Sequence, residues 1–120
     1  MSVLFLADGA TVWNPSNTPG QLFKGQVDAI AKTLGLPSGL GELSQDEVVI
    51  DLPVFERFLI KLVDQYQHTG HYIIRSLIAG VLGTSYVMVE RAGGHVPEID
   101  PQRVPGWDDL HFQFSRSMPA

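Results

Sequence analysis

The chain contains no cysteine, which excludes disulfides, thiolate metal ligands and cysteine nucleophiles together. Positive charge is scarce. Eight Lys plus Arg stand against thirteen Asp plus Glu, a formal net charge of −5, so a polyanion bound by counterion release is not expected and no nucleic acid partner is read. Charged residues of both signs reach 18% beside 44% hydrophobic residues, the balance of a folding chain rather than a disordered one. A P-loop, a G-x-G-x-x-G fingerprint, a G-x-S-x-G elbow and an S-x-x-K pair are all missing. The start MSVLFLADG has no positive n-region and its apolar run stops at Asp8, so it reads as a strand and not as a leader. The stretch Tyr72 to Val89 is nearly long enough to span a bilayer. It carries Arg75, Ser76, Thr84 and Ser85, however, and reads as a buried core helix. The expectation is one cytoplasmic domain with no membrane contact and no cofactor.

What is present is a series of well-punctuated elements. Residues 2–7 and 10–13 are apolar and β-prone, and Asp8-Gly9 between them suits the positive-φ positions of a hairpin turn. Thr18 is read as the cap of a helix over 19–34, with Pro19 at its first position and Gln21 completing a capping box. Phe23, Val27, Ile30, Ala31 and Leu34 form the apolar face of that helix, and Gly35 with Pro37 ends it. Residues 47–50 supply a third short strand. Asp51 caps a second helix over 52–68, whose apolar side runs from Val54 and Phe55 through Phe58, Leu59, Leu62 and Val63 to Tyr66. The tight turn at His68-Thr69-Gly70-His71 predicts an antiparallel third helix over 71–92. That helix has a small-residue stripe at Ser76, Gly80 and Gly83, where another backbone can approach, either within the chain or across a homodimer.

The fold class expected is α+β, a small antiparallel sheet of two or three strands packed on three helices; a purely helical fold is the runner-up. Residues 1–94 form the globular domain. Residues 95–120, with prolines at 97, 101, 105 and 119, read as an extended tail that docks on the domain or on a partner.

The runs Thr11-Val12-Trp13-Asn14-Pro15-Ser16-Asn17, Leu34-Gly35-Leu36-Pro37-Ser38-Gly39-Leu40-Gly41 and Ile50-Asp51-Leu52-Pro53-Val54-Phe55-Glu56, with Leu22-Phe23, Asp46-Glu47 and Arg91-Ala92-Gly93-Gly94, carry a resemblance. The chain resembles a family of small proteins from streptomycetes and related actinobacteria, known as a domain of unknown function. The resemblance covers residues 1–94 and leaves out the tail. It implies an actinobacterial source and a cytosolic setting, and it transfers no activity and no site residues.

Candidate chemistry is sparse. Asp64, His68 and His71 are spaced so that oxygen and imidazole ligands can converge at a helix end, which is the one metal-like arrangement, although it lacks a fourth ligand. Its ordinary role is a polar helix terminus. Glu42, Asp46, Glu47 and Asp51 do not follow the spacing of a calcium loop and read as a solvated acidic face. Trp13 and Asn14 at the hairpin's exit, and Trp107, Phe112 and Phe114 in the tail, are candidate partner-binding residues, since exposed aromatics dominate binding energy. For Trp13 and Asn14, covering the end of the core and an Asx-turn before Pro15 are the structural alternatives. Elimination leads to a non-enzymatic protein–protein interaction module, regulatory, antitoxin-like or immunity-like, whose acidic surface suits a basic partner. The alternative is a small-ligand-binding or metal-dependent enzyme with a pocket between the hairpin and helix three, walled by Trp13, Tyr72, Arg75 and Tyr86.

Overall fold

In a computed structural model, which describes residues 1–119, Asp8 and Gly9 stand at φ 52° and 80° and reverse the chain between β1 (Leu4–Ala7) and β2 (Ala10–Trp13). Two consecutive positive-φ residues match the twist of the strands they join, and glycine bears the second at no steric cost. The hairpin pairs Ala7 with Ala10 and Phe5 with Trp13, with an irregularity between Phe5 and Leu6. β3 (Glu47–Ile50) adds to the other side of β1, with Val48 opposite Phe5, giving the order β2-β1-β3.

The α+β class expected from the sequence is thus the observed one, but the sheet is mixed. β3 runs parallel to β1, where an antiparallel partner was expected. The alternation that buries Val48 and Ile50 reads the same in either direction, so strand direction is decided by the connection. Here the connection contains a helix long enough to carry the chain along the sheet before it re-enters.

That helix, α1 (Asn17–Leu34), buries Phe23, Val27 and Ala31 and closes at Gly35 in the left-handed conformation. It begins two residues earlier than the capping box suggested. Ser16 is the N-cap and makes no side-chain cap bond, while Thr18 and Pro19 lie inside the first turn, where a missing N–H costs nothing. α2 (Leu52–His68) follows the expectation closely: the Asp51 carboxylate accepts from Val54 N at 3.4 Å, and Phe55, Phe58, Leu59, Leu62 and Val63 are buried. α3 (Tyr72–Arg91) packs back on α2 across the short turn.

The tail departs most from the extended reading. Residues 107–117 form a fourth helix, α4 (Trp107–Ser117), which lies against α3. The prolines act as its boundary: Pro105 precedes the start at Gly106, and Pro119 follows the end. Between α3 and α4 the chain runs along α2. His95 N donates to Glu56 Oε2 at 2.6 Å, Asp100 N donates to Gln67 Oε1 at 2.7 Å, and Val104 is buried.

Candidate functional site

Each sequence-nominated residue has a definite place. Trp13 is buried, stacked on Phe5 at 5.2 Å between ring centres and edge-on to Phe23 at 5.4 Å, so it closes the sheet's core and offers no surface to a partner. Asn14 is half-buried, and its backbone N–H donates to Pro119 O at 2.8 Å. Trp107 is buried against Tyr86 and His111, and Phe114 is half-buried over Gly83. Phe112 alone of the five is exposed, at 60%.

The four residues of the alternative pocket do not meet. Tyr72 and Tyr86 are fourteen residues apart on one straight helix, about 21 Å along its axis. Tyr72 is exposed at the start of α3, whereas Tyr86 packs under α4. Arg75 is committed elsewhere: its guanidinium lies 4.6 Å over the Tyr66 ring and donates to Arg103 O at 2.7 Å. The helix–turn–helix trio also separates. His68 Nδ1 lies 3.1 Å from Asp64 Oδ1 and 2.9 Å from Asp64 O, while His71 Nδ1 accepts from Ile74 N at 3.5 Å as the cap of α3. Among the described residues no group of three or more His, Asp and Glu stands together as metal ligands would.

Sequence reading missed two clusters, because both join residues far apart in the chain. In the first, His111 Nε2 lies 2.6 Å from Glu90 Oε1, the His111 ring stacks on Trp107 at 5.6 Å, and Tyr86 meets both rings edge-on. Burial, and after it the Glu90 carboxylate, hold the Tyr86 phenol above its ordinary pKa of 10.0. In the second, Arg91 donates to three backbone carbonyls: Val12 O at 3.1 Å, Ser115 O at 3.0 Å and Met118 O at 2.7 Å. One guanidinium thereby ties β2 to the C-terminal end of α4, where a cation is also favoured by the helix dipole. Both clusters clasp α4 to the body.

α4 covers the C-terminal half of α3's outward side, around Gly83, Tyr86 and Glu90. The N-terminal half of α3 carries bare side chains, and Leu77 among them points opposite to Tyr86, nine residues away on the same helix. Tyr72, Ile73 and Leu77 are 78%, 55% and 70% exposed, beside the exposed small residues Ser76 and Gly80. Leu77 also forms one wall of an apolar cavity of about 270 Å³ between the three long helices, lined further by Ile30, Leu34, Leu62, Ile74 and Ile78. The incomplete burial of Ile30 and Leu34, two residues on the predicted core face of α1, has its cause here: they line this opening.

A family model, Family of unknown function (DUF6086), matches residues 1–120. The chain belongs to this family. DUF6086 spans the tail as well, so the likeness read over residues 1–94 extends through α4. No curated protein and no solved structure matches the chain. By length and composition α3 of this DUF6086 chain would suffice to cross a membrane, with a mean hydropathy of 1.5 over its best window, half of which is buried inside the fold.

Proposed function

We propose that this protein is a non-enzymatic protein–protein interaction module, regulatory, antitoxin-like or immunity-like in kind, and that the bare N-terminal half of α3 is its contact surface. The observation that carries the reading is the run of Tyr72, Ile73 and Leu77, all more than half exposed on a helix whose other sides are packed, opening onto the apolar cavity beside Leu77. Leaving such side chains in water forgoes about 1.5–3 kcal/mol for each that a partner would fully bury. Large exposed apolar groups gathered on one face mark interaction sites, whereas scattered ones need no explanation. The acidic balance of the chain adds long-range attraction toward a basic partner, and the neutral α3 face supplies the contact.

Capture from native lysate with two immobilised variants tests this. Leu77→Lys should abolish retention of whatever the wild type holds. Val49→Lys, at an exposed apolar residue of β3, should retain it. Equal retention by Leu77→Lys and wild type would remove α3 as the contact surface.

A further inference from the structure

We infer that the apolar cavity between the three long helices and the cationic groove beside it form one binding site for a free amphiphile, a straight apolar tail ending in a carboxylate. The inference goes beyond the contact surface proposed above and needs no protein partner.

The tail's place is the cavity of about 270 Å³, walled by Ile30 and Leu34 of α1, Leu62 of α2, and Ile74, Leu77 and Ile78 of α3. Of the two polar residues at its edge, Thr33 and Gln65, the first spends its hydroxyl on Ala29 O at 2.9 Å. Water therefore finds few partners inside, whereas a buried water makes about two to four hydrogen bonds. An apolar guest instead supplies the contacts that the facing side chains lack across the gap. An apolar cavity of about 150 Å³ already holds a benzene ring, so this one takes a larger guest.

The head group's place is the neighbouring groove of about 520 Å³. Leu34 lines both spaces, so they adjoin at one side chain. The groove is lined further by the apolar Leu36 and Ile60 and by Arg57, Lys61 and Asp64. Among the described residues neither cation is in an ion pair, while Asp64 is turned to His68 at 3.1 Å.

The helical repeat joins the two chemistries. At about 100° per residue, Arg57, Lys61, Gln65 and Leu62 succeed one another around α2 in steps of about 40–60°, leading from the groove to the cavity. Lys61 and Gln65 are one turn apart, so an ammonium and an amide stand between the cations' groove and the apolar wall. A carboxylate seated there accepts from both while its tail enters past Leu34. Neighbouring helices lie about 8–10 Å apart axis to axis, so a tail of about eight carbons reaches the α3 wall at Ile74 and Ile78. The chain's net charge of −5 does not oppose this, because charges beyond about 8 Å are largely screened at physiological ionic strength.

Isoleucine-methyl NMR of the full chain, titrated with butanoate, hexanoate and octanoate, reads the proposal directly. Ile30, Ile74 and Ile78 should shift saturably, and affinity should rise about fourfold per added methylene. Ile30→Phe, which fills the cavity, should weaken octanoate and 1-octanol alike by about tenfold or more. The double variant Arg57→Gln/Lys61→Gln should weaken octanoate by roughly fivefold and leave 1-octanol unmoved. No saturable shift at Ile74 and Ile78 up to ~10 mM octanoate, an affinity indifferent to tail length, unchanged binding by Ile30→Phe, or equal losses of octanoate and 1-octanol in the double variant would each overturn the inference. The tail-length series needs no substitution, so it decides the matter even where a variant fails to fold. Absent octanoate binding, together with loss of a captured protein on Leu77→Lys, would sink this inference alone and leave the contact surface standing.

Discussion

The Phe114 ring occupies the space a Cβ on Gly83 would need: three ring atoms lie within 3.0 Å of that point, the nearest at 2.7 Å. This pairing seats α4 on α3. Gly83→Ala gains about 1 kcal/mol of helix propensity but forces the ring aside, and overpacking of this kind costs typically about 1–3 kcal/mol. The expected result is a net loss, seen as faster amide exchange across residues 107–117. Gly80→Ala on the same helix, where the Cβ meets open space, should raise stability by up to about 1 kcal/mol.

Arg91 holds three carbonyls from two ends of the chain. Arg91→Met keeps much of the stem's packing and removes every donor. Stranding a buried polar group costs about 1–3 kcal/mol, so chemical denaturation should show a loss of that order, with exchange protection falling together in β2 and at the end of α4. Arg91→Lys should recover only part of it, because one ammonium cannot reproduce the forked geometry.

Ser85 Oγ is fully buried inside α3 and has no hydrogen-bond partner among the described residues. Removing an unsatisfied hydroxyl relieves a desolvation cost. Ser85→Ala should therefore stabilise the fold by about 1 kcal/mol, read as a higher denaturation midpoint at unchanged slope. A loss of stability would mean that the hydroxyl is satisfied in solution.

Tyr86 links α4 to alkaline pH. Its pKa is raised, by burial first and by Glu90 second, so above the ordinary value of 10.0 the folded chain keeps a proton that the unfolded chain gives up. The stability this provides is fully present below about pH 10 and is lost as pH rises through the folded value. Tyr86→Phe should flatten that fall: the stability difference between about pH 9 and pH 11 should be smaller than in the wild type.

Local signals in this chain were reliable where neighbours in sequence settle the outcome. Asp8-Gly9 makes its turn, Asp51 caps α2, and Gly35 ends α1, because each depends on backbone geometry within a few residues. α4 was harder to read. Its eleven residues are short for a helix that stands alone, and four prolines in the tail pointed to extended chain. What stabilises it is Phe114 on Gly83, His111 on Glu90 and the grip of Arg91, none of which is local. The candidate surface was only partly legible. Ser76 and Gly80 were visible as a small-residue stripe, but the aromatics offered as anchors included Trp13 and Trp107, which are buried.

The order of apolar and polar residues determined by itself where α2 and α3 lie and which side of α2 is oily, since a helix repeats its faces every few residues whatever surrounds it. Tertiary packing decided the direction of β3, the existence of α4 and which half of α3 meets water. Those outcomes depend on which distant segments come to share a surface, and burial is a property of that shared surface rather than of either segment alone.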